Sequence, residues 1–184
     1  MKRVDITLLF AASVCIFAWI DMAICGLFLV ALFCHEMGHL LTMKCSGASI
    51  CRFRLSVAGA VIQGEFMGYR QEAFCAAGGP VFGLILSICS LRWCPKLAAI
   101  SFVLTVVNLL PVYPLDGGRI LRCALLLYLD PDNAIRILRK VTAVVCCILM
   151  IVACWVTSEL QSGIWPVFAV LVLLWRVGQA QRLE

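Results

Sequence analysis

The chain has 184 residues, of which 64% are hydrophobic and only 14% are charged, and its mean hydropathy is +1.05. A soluble domain of this size is about a quarter charged, because it must cover its core with a polar surface. The composition therefore disfavours soluble folds, disorder, coiled coils, basic nucleic-acid-binding domains and secreted disulfide scaffolds. It predicts an all-α polytopic membrane protein, and the net charge of +5 matters only through its distribution.

Six apolar stretches are predicted membrane spans, for which about 17 to 25 residues are needed, or somewhat fewer where polar ends are tucked in by neighbouring helices. They are 6–20, 22–43, 73–91, 97–115, 141–156 and 164–177. Lys2 and Arg3 before the first stretch could begin a signal peptide, but no small-x-small cleavage site follows, so we expect a span. A further apolar run, 120–129, is too short to cross and either continues the fourth helix or lies at the interface.

The distribution of positive charge supports six spans with a cytoplasmic N-terminus. In that arrangement, all of the 15 Lys and Arg residues except Arg92 and Lys96 fall on the cytoplasmic side. Cytoplasmic loops collect Lys and Arg in membrane proteins. The charges therefore predict both the number of spans and their direction.

The segment 48–67 behaves differently from the spans around it. Residues 51–57 alternate polar and apolar side chains, Ala58-Gly59 then punctuates the pattern, and a second run covers 60–66. This pattern predicts a small β-hairpin after the second span, and a solvated loop with accidental alternation is the alternative. Because strand edges do not stand in lipid, we expect the hairpin at the cytoplasmic surface or packed into the helix bundle.

The second predicted span contains the sequence His35-Glu36-Met37-Gly38-His39. Residues four apart share one face of a helix, so both imidazoles can bind one Zn²⁺ with Glu36 beside the metal-bound water. These are the only two histidines in the chain, and polar groups within a span are costly, so chance is a poor explanation. The pattern predicts peptide hydrolysis, in which Glu36 takes a proton from a water whose pKa the metal lowers to about 7.

A catalytic zinc usually has three protein ligands, so the third must here be Asp, Glu or Cys. Asp116 stands out because Pro111 and Pro114 before it interrupt helical hydrogen bonding, and Gly117-Gly118 after it allow a close approach. An irregular backbone at membrane depth is tolerated only where it is buried in protein or lines a wet cavity. Asp116 is therefore the predicted third ligand.

The residues leave two alternatives open for this third ligand. Asp116 could serve instead as the cap of a following helix at 119–129. In that case the ligand would come from Glu65, Glu72 or Cys34, which are the remaining candidates.

Together, these motifs resemble the site-2 protease family (M50) of intramembrane zinc metalloproteases. The resemblance rests on His35 to His39 and on Asn-x-x-Pro-x-x-Pro-Leu-Asp-Gly-Gly at 108–118, it covers about 33–122, and the compact layout is similar to the stage IV sporulation protein FB branch. It implies one Zn²⁺ per chain on His35, His39 and Asp116, with Glu36 as the catalytic base. It further implies that Asn108 contacts the substrate backbone or the developing oxyanion, for which an inter-helical hydrogen bond is the alternative.

One position departs from the family pattern. The family often has an asparagine after a Gly-Pro in the third span, whereas Gly79-Pro80-Val81-Phe82-Gly83 has a glycine there. The resemblance thus assigns no polar side chain to this span.

We expect a single domain, 1–184, with a catalytic core at about 22–130 and no PDZ or CBS domain, because no polar stretch is long enough to hold one. The expected function is an intramembrane zinc endopeptidase that hydrolyses membrane-anchored proteins near the cytoplasmic leaflet, in a bacterial plasma membrane. The expected partners are such substrates and the lipid bilayer, with no nucleic acid, and the sequence leaves open a regulatory membrane protein or a homo-oligomer. A metal-binding transporter, which would not need Glu36, and a non-catalytic membrane scaffold are the alternatives.

Overall fold

A computed structural model describes residues 4–6, 22–56, 59–65, 68–159 and 165–181. The described part of the chain is mostly helical. It divides into two compact units, Met1–Asn108 and Leu109–Glu184.

Among the described residues of the first unit, three helices pack against one another. They are α1 (Met22–Cys45), α2 (Tyr69–Ser90) and α3 (Pro95–Asn108). Glycine ends α1, because Gly47 adopts a positive φ of 72° and its N–H donates to the carbonyl of Lys44. Proline opens α3 at its first position, where the missing N–H costs no hydrogen bond.

Glycines bring the backbones of α1 and α2 unusually close together. A Cβ added at Gly38 would lie 2.8 Å from the carbonyl carbon of Gly78, and one added at Gly78 would lie 2.6 Å from the carbonyl oxygen of Gly38. Without an aqueous driving force between helices, such close contacts between small residues are a main source of packing energy in membranes. The contact lies within one turn of the predicted histidine pair on α1.

Three strands accompany these helices. They are β1 (Val4–Ile6), β2 (Ser49–Ser56) and β3 (Gly59–Glu65), in the order β1-β2-β3. β2 pairs with β3 in antiparallel register from Ser49↔Glu65 to Ser56↔Gly59, and β1 pairs with β2 in parallel. The sequence does not predict β1, because three residues are too few to show a period.

In the part of the second unit that the structure describes, the helices are α4 (Asp116–Tyr128), α5 (Pro131–Glu159) and α6 (Trp165–Gln181). α5 packs against both α4 and α6. The buried hydrophobic cluster of this unit consists of Val112, Leu115, Cys146 and Val177. Val112 and Leu115 anchor the irregular segment 109–115 that precedes α4, so burial of apolar side chains fixes this segment in place of helical hydrogen bonds.

Among the described residues, three helices are long and apolar enough to cross a membrane, namely α1, α2 and α5, and α3 is a shorter apolar helix of 14 residues. The prediction of six spans is therefore not confirmed. The first predicted span begins at Ile6, which lies in β1, and 7–20 fall outside the described residues. α6 covers the sixth with 17 residues.

The fourth predicted span, 97–115, does not form one continuous helix. α3 ends at Asn108, and 109–115 are irregular because Pro111 and Pro114 cannot donate helical hydrogen bonds. The apolar run 120–129 therefore does not continue the fourth helix, and it lies instead in the separate helix α4.

Candidate metal centre

The two histidines of α1 bring their Nε2 atoms together in a buried position. Nε2 of His35 lies 3.3 Å from Nε2 of His39, the rings meet edge to face, and the side chains are only 2% and 8% exposed. Two nitrogen ligands bound to one tetrahedral Zn²⁺ at about 2.0–2.1 Å stand about 3.3 Å apart. The pair thus has the separation that a shared zinc ion requires.

Backbone groups of α2 contact the ring of His39 at Nδ1, the nitrogen that does not face His35. Its Nδ1 lies 2.9 Å from the carbonyl oxygen of Cys75 and 3.3 Å from the backbone N of Gly79. A metal-binding histidine usually donates its other ring N–H to a carbonyl or carboxylate, which fixes the tautomer and leaves the opposite nitrogen for the metal. The Cys75 carbonyl can play that part for His39.

Glycines of α2 leave space for the imidazoles. A Cβ added at Gly79 would contact Nε2 of His39 and lie 2.7 Å from Nε2 of His35. One added at Gly83 would contact Oγ1 of Thr105 and lie 3.7 Å from Nδ1 of His35. Motif reasoning missed the role of this helix, although the Gly78-Gly79-Pro80 sequence within an apolar span was a usable signal.

Glu36 follows His35 directly on α1. Its side chain is half-buried, and its Oε2 atom is shielded from solvent. A carboxylate in such a position suits a general base, since removal from bulk water keeps its proton transfers directed at the bound reactants.

Asp116 is the first residue of α4 and is 8% exposed. The N-cap residue is Leu115 rather than Asp116, so the capping alternative in the predicted form, before a helix at 119–129, is wrong. Gly117 and Gly118 sit against the carbonyls of Leu110 and Val112, which added Cβ atoms would approach to 2.5 Å. The two glycines therefore let the irregular segment fold onto the start of the helix that carries the carboxylate.

The metal-binding atoms of His35, His39 and Asp116 all lie within 4.8 Å of one another. Of the other three candidates for the third ligand, Cys34 and Glu72 are outside this cluster, and Glu65 belongs to β3. Two neutral imidazoles and one carboxylate form a donor set that suits a catalytic Zn²⁺ with an open fourth position. The residues present therefore fit the expected metal.

Asn108 is the last residue of α3 and is half-buried. Its Nδ2 donates to the carbonyl of Leu104, 2.9 Å away, one turn back on the same helix. This hydrogen bond lies within α3. In the described part of the chain, the structure therefore does not show the inter-helical hydrogen bond that was the alternative role for Asn108. The predicted contact between Asn108 and substrate stays a prediction.

Comparisons with known proteins bear on these residues. The family model for peptidase family M50 matches residues 91–152, a range that contains Asn108 and Asp116. A zinc metalloprotease of Methanocaldococcus jannaschii is 30% identical over 112 residues, which cover 54% of this chain and 33% of that protein. The match thus spans about a third of the relative's length.

A solved structure has a similar fold. The site-2 protease from Methanocaldococcus jannaschii superposes with a TM-score of 0.71 at 20% sequence identity, over 96% of this chain and 89% of that one. At this level of identity the likeness establishes the fold.

Proposed function

We propose that the chain is an intramembrane zinc endopeptidase of the site-2 protease family, which the match to the peptidase family M50 model and the 30% identity to a zinc metalloprotease support. The observation that carries the proposal is the 3.3 Å separation of the Nε2 atoms of His35 and His39 on an apolar helix of membrane-spanning length. Its substrates are membrane-anchored proteins, cut near the cytoplasmic leaflet. The relation to the stage IV sporulation protein FB branch stays a prediction.

The three clustered side chains of His35, His39 and Asp116 would hold the zinc ion, one per chain. When bound, the ion acts as a Lewis acid and lowers the pKa of a water molecule to about 7. Glu36 accepts a proton from the attacking water and delivers it to the amine of the leaving peptide. The burial of both histidines keeps bulk water away from these transfers.

A substrate helix hides its peptide bonds in its own hydrogen bonds, so it must unwind before a carbonyl reaches the site. β3 is one of the two edge strands of the described sheet and pairs with β2 along its other side. An unwound substrate segment can pair with such an edge as an added strand, which would present its backbone in extended form. Asn108 would then bind a substrate backbone group through its amide, whose second N–H remains to donate.

The test replaces Glu36 with Gln in the purified, full-length protein and measures cleavage of a membrane-tethered substrate together with zinc content. We expect Glu36→Gln to lower the cleavage rate by about 10²- to 10⁴-fold, because general bases contribute on that scale. Zinc content should stay at the wild-type level. Glu159→Gln, an exposed residue at the end of α5, is the matched control and should leave both unchanged.

Two results would contradict the proposal. Cleavage that survives Glu36→Gln would show that Glu36 is not the general base of the reaction. Full activity after exhaustive treatment with a zinc chelator would remove the metal from the reaction altogether. His35→Ala should abolish zinc binding and cleavage together.

A further inference from the structure

One turn of α2 contacts the His39 ring at Nδ1 through two backbone groups. The carbonyl oxygen of Cys75 and the backbone N of Gly79 are the two ends of one i to i−4 step, the spacing at which helical hydrogen bonds form. His39 Nδ1 lies 2.9 Å from the first and 3.3 Å from the second. The shorter contact pairs Nδ1 with an acceptor, which favours the tautomer that carries its proton on Nδ1 and leaves the Nε2 lone pair for a metal ion.

The same turn has no side chain where the rings pack. A Cβ at Gly79 would touch Nε2 of His39 and come within 2.6 Å of its Cε1 and 2.7 Å of Nε2 of His35. A Cβ atom does not come this close to a heavy atom to which it is not bonded. A methyl group at this position must therefore displace both imidazoles.

The helices have little freedom to relieve such a clash by moving apart. Gly38 and Gly78 hold the two backbones in contact, and Thr42 Oγ1 lies 3.0 Å from the carbonyls of Gly38 and His39 and 3.3 Å from that of Cys75. The His39 ring is itself tied to the Cys75 carbonyl at Nδ1. Because the helix contact and the Nδ1 contact are both tight, the clash is relieved by movement of the Nε2 atoms.

We propose that the turn Cys75–Gly79 positions the metal ligands of α1. The Cys75 carbonyl orients the His39 ring, and the absent side chain at Gly79 keeps open the space that the two Nε2 atoms need to share one ion. This inference rests on the proposed metal site. In this inference, Gly79 positions the two imidazoles by having no side chain, rather than through a polar group of α2.

The first test compares Gly79→Ala with wild type in Zn²⁺ affinity, measured by competition with a chromophoric chelator on the full-length protein in detergent. Loss of a group that orients metal ligands typically costs about 10- to 100-fold in metal affinity, and we expect a loss at the upper end. The visible spectrum of the Co²⁺-substituted protein should lose its tetrahedral bands, since coordination geometry determines them. Gly26→Ala on α1, where an added Cβ would meet nothing within 4 Å, should change neither.

A second test separates a clash with the ligands from a general packing defect. Thermal unfolding midpoints of metal-free protein are measured for Gly79→Ala with and without His39→Ala, as a double-mutant cycle. Gly79→Ala should lower the midpoint strongly alone and much less once the imidazole is gone. Gly78→Ala, which clashes with Gly38 and Thr42 instead, should lower it equally in both backgrounds.

The outcomes distinguish this inference from the proposed function. Wild-type protein that binds no zinc would overturn both. Wild-type protein that binds zinc, with Gly79→Ala binding it equally well, would overturn the positioning role alone. A Gly79→Ala protein that accumulates only together with His39→Ala supports the inference, and one that accumulates in neither background refutes it, because the clash would then lie elsewhere.

Discussion

At the scale of single residues, hydrogen bonding constrains the groups around the candidate site to different degrees. His39 is bound at Nδ1 by the backbone of α2, whereas among the described residues the amide of Asn108 bonds to the preceding turn of α3. The first contact fixes an orientation that a metal ligand needs. The second leaves a donor that can turn toward a substrate group without breaking a tertiary contact.

We therefore predict that Asn108→Ala lowers kcat by about a hundredfold, the usual scale for loss of one oxyanion donor, with zinc content unchanged. The measurement is cleavage kinetics with parallel metal analysis. Asn133→Ala, at an exposed position in the first turn of α5, is the matched control. An unchanged kcat in Asn108→Ala would show that the amide serves only its own helix.

At the scale of secondary-structure elements, buried hydroxyl groups join α2 to α3. Ser101 Oγ donates to the carbonyl of Gly83 over 2.7 Å, and Ser87 Oγ donates to that of Ala98 over 2.9 Å. Ser101 is completely buried and Ser87 almost so. Within a membrane these bonds supply specificity that the uniformly apolar surfaces of the two helices do not.

Ser101→Ala should lower the free energy of unfolding by about 0.5–1.5 kcal/mol, the usual contribution of one such hydrogen bond. Unfolding titrations in mixed micelles with increasing denaturing detergent provide the measurement. Ser158→Ala is the comparison, since Ser158 is exposed and its hydroxyl bonds only to Trp155 in the same helix. Equal effects of the two substitutions would argue against a stabilising link between α2 and α3.

The strand pair β2–β3 is the second element with a testable role. Replacement of 49–65 by an unrelated loop of equal length should abolish cleavage of the tethered substrate, because the edge of β3 would no longer be there to pair with it. Zinc content should persist, since no proposed ligand lies in this segment. Cleavage that continues at the wild-type rate would refute substrate pairing at this edge.

At the scale of the whole molecule, the chain is an integral membrane protein whose charges predict an orientation. Arg92 lies in the turn between α2 and α3 and Lys96 lies at the start of α3, whereas basic residues are far more numerous in the segments predicted to be cytoplasmic. Translocation of positive charge is disfavoured in membrane insertion. The turn between α2 and α3 should therefore face away from the cytoplasm.

An epitope tag inserted after Trp93, which is 86% exposed, should be digested by protease added to intact spheroplasts. A tag inserted after Asp130, in the exposed turn between α4 and α5, should be digested only after lysis. Immunoblots before and after permeabilisation provide the readout. The reverse pattern would invert the predicted orientation and the proposed cytoplasmic access to the site.

The sequence by itself determined the membrane class, the helix that carries the histidines, and the break in the chain before Asp116. These features are local: hydropathy, the four-residue spacing of His35 and His39, and the missing N–H groups of Pro111 and Pro114 act through near neighbours in the chain. The resemblance to a metalloprotease family rests on the same local motifs. Helix limits were less accurate, and α5 in particular extends well beyond 141–156 because polar ends can continue a helix that packing supports.

Only the tertiary structure decided what surrounds the imidazoles. The contact of His39 with the Cys75 carbonyl joins atoms 36 residues apart, and no local pattern encodes which backbone group will lie behind a ring. The parallel pairing of β1 with β2 depends likewise on a partner more than forty residues away, with Val4 opposite Phe53. The role of Gly79 depends on the two imidazole nitrogens that lie beside it. The sequence does not indicate this role, because an absent side chain has no chemical signal of its own.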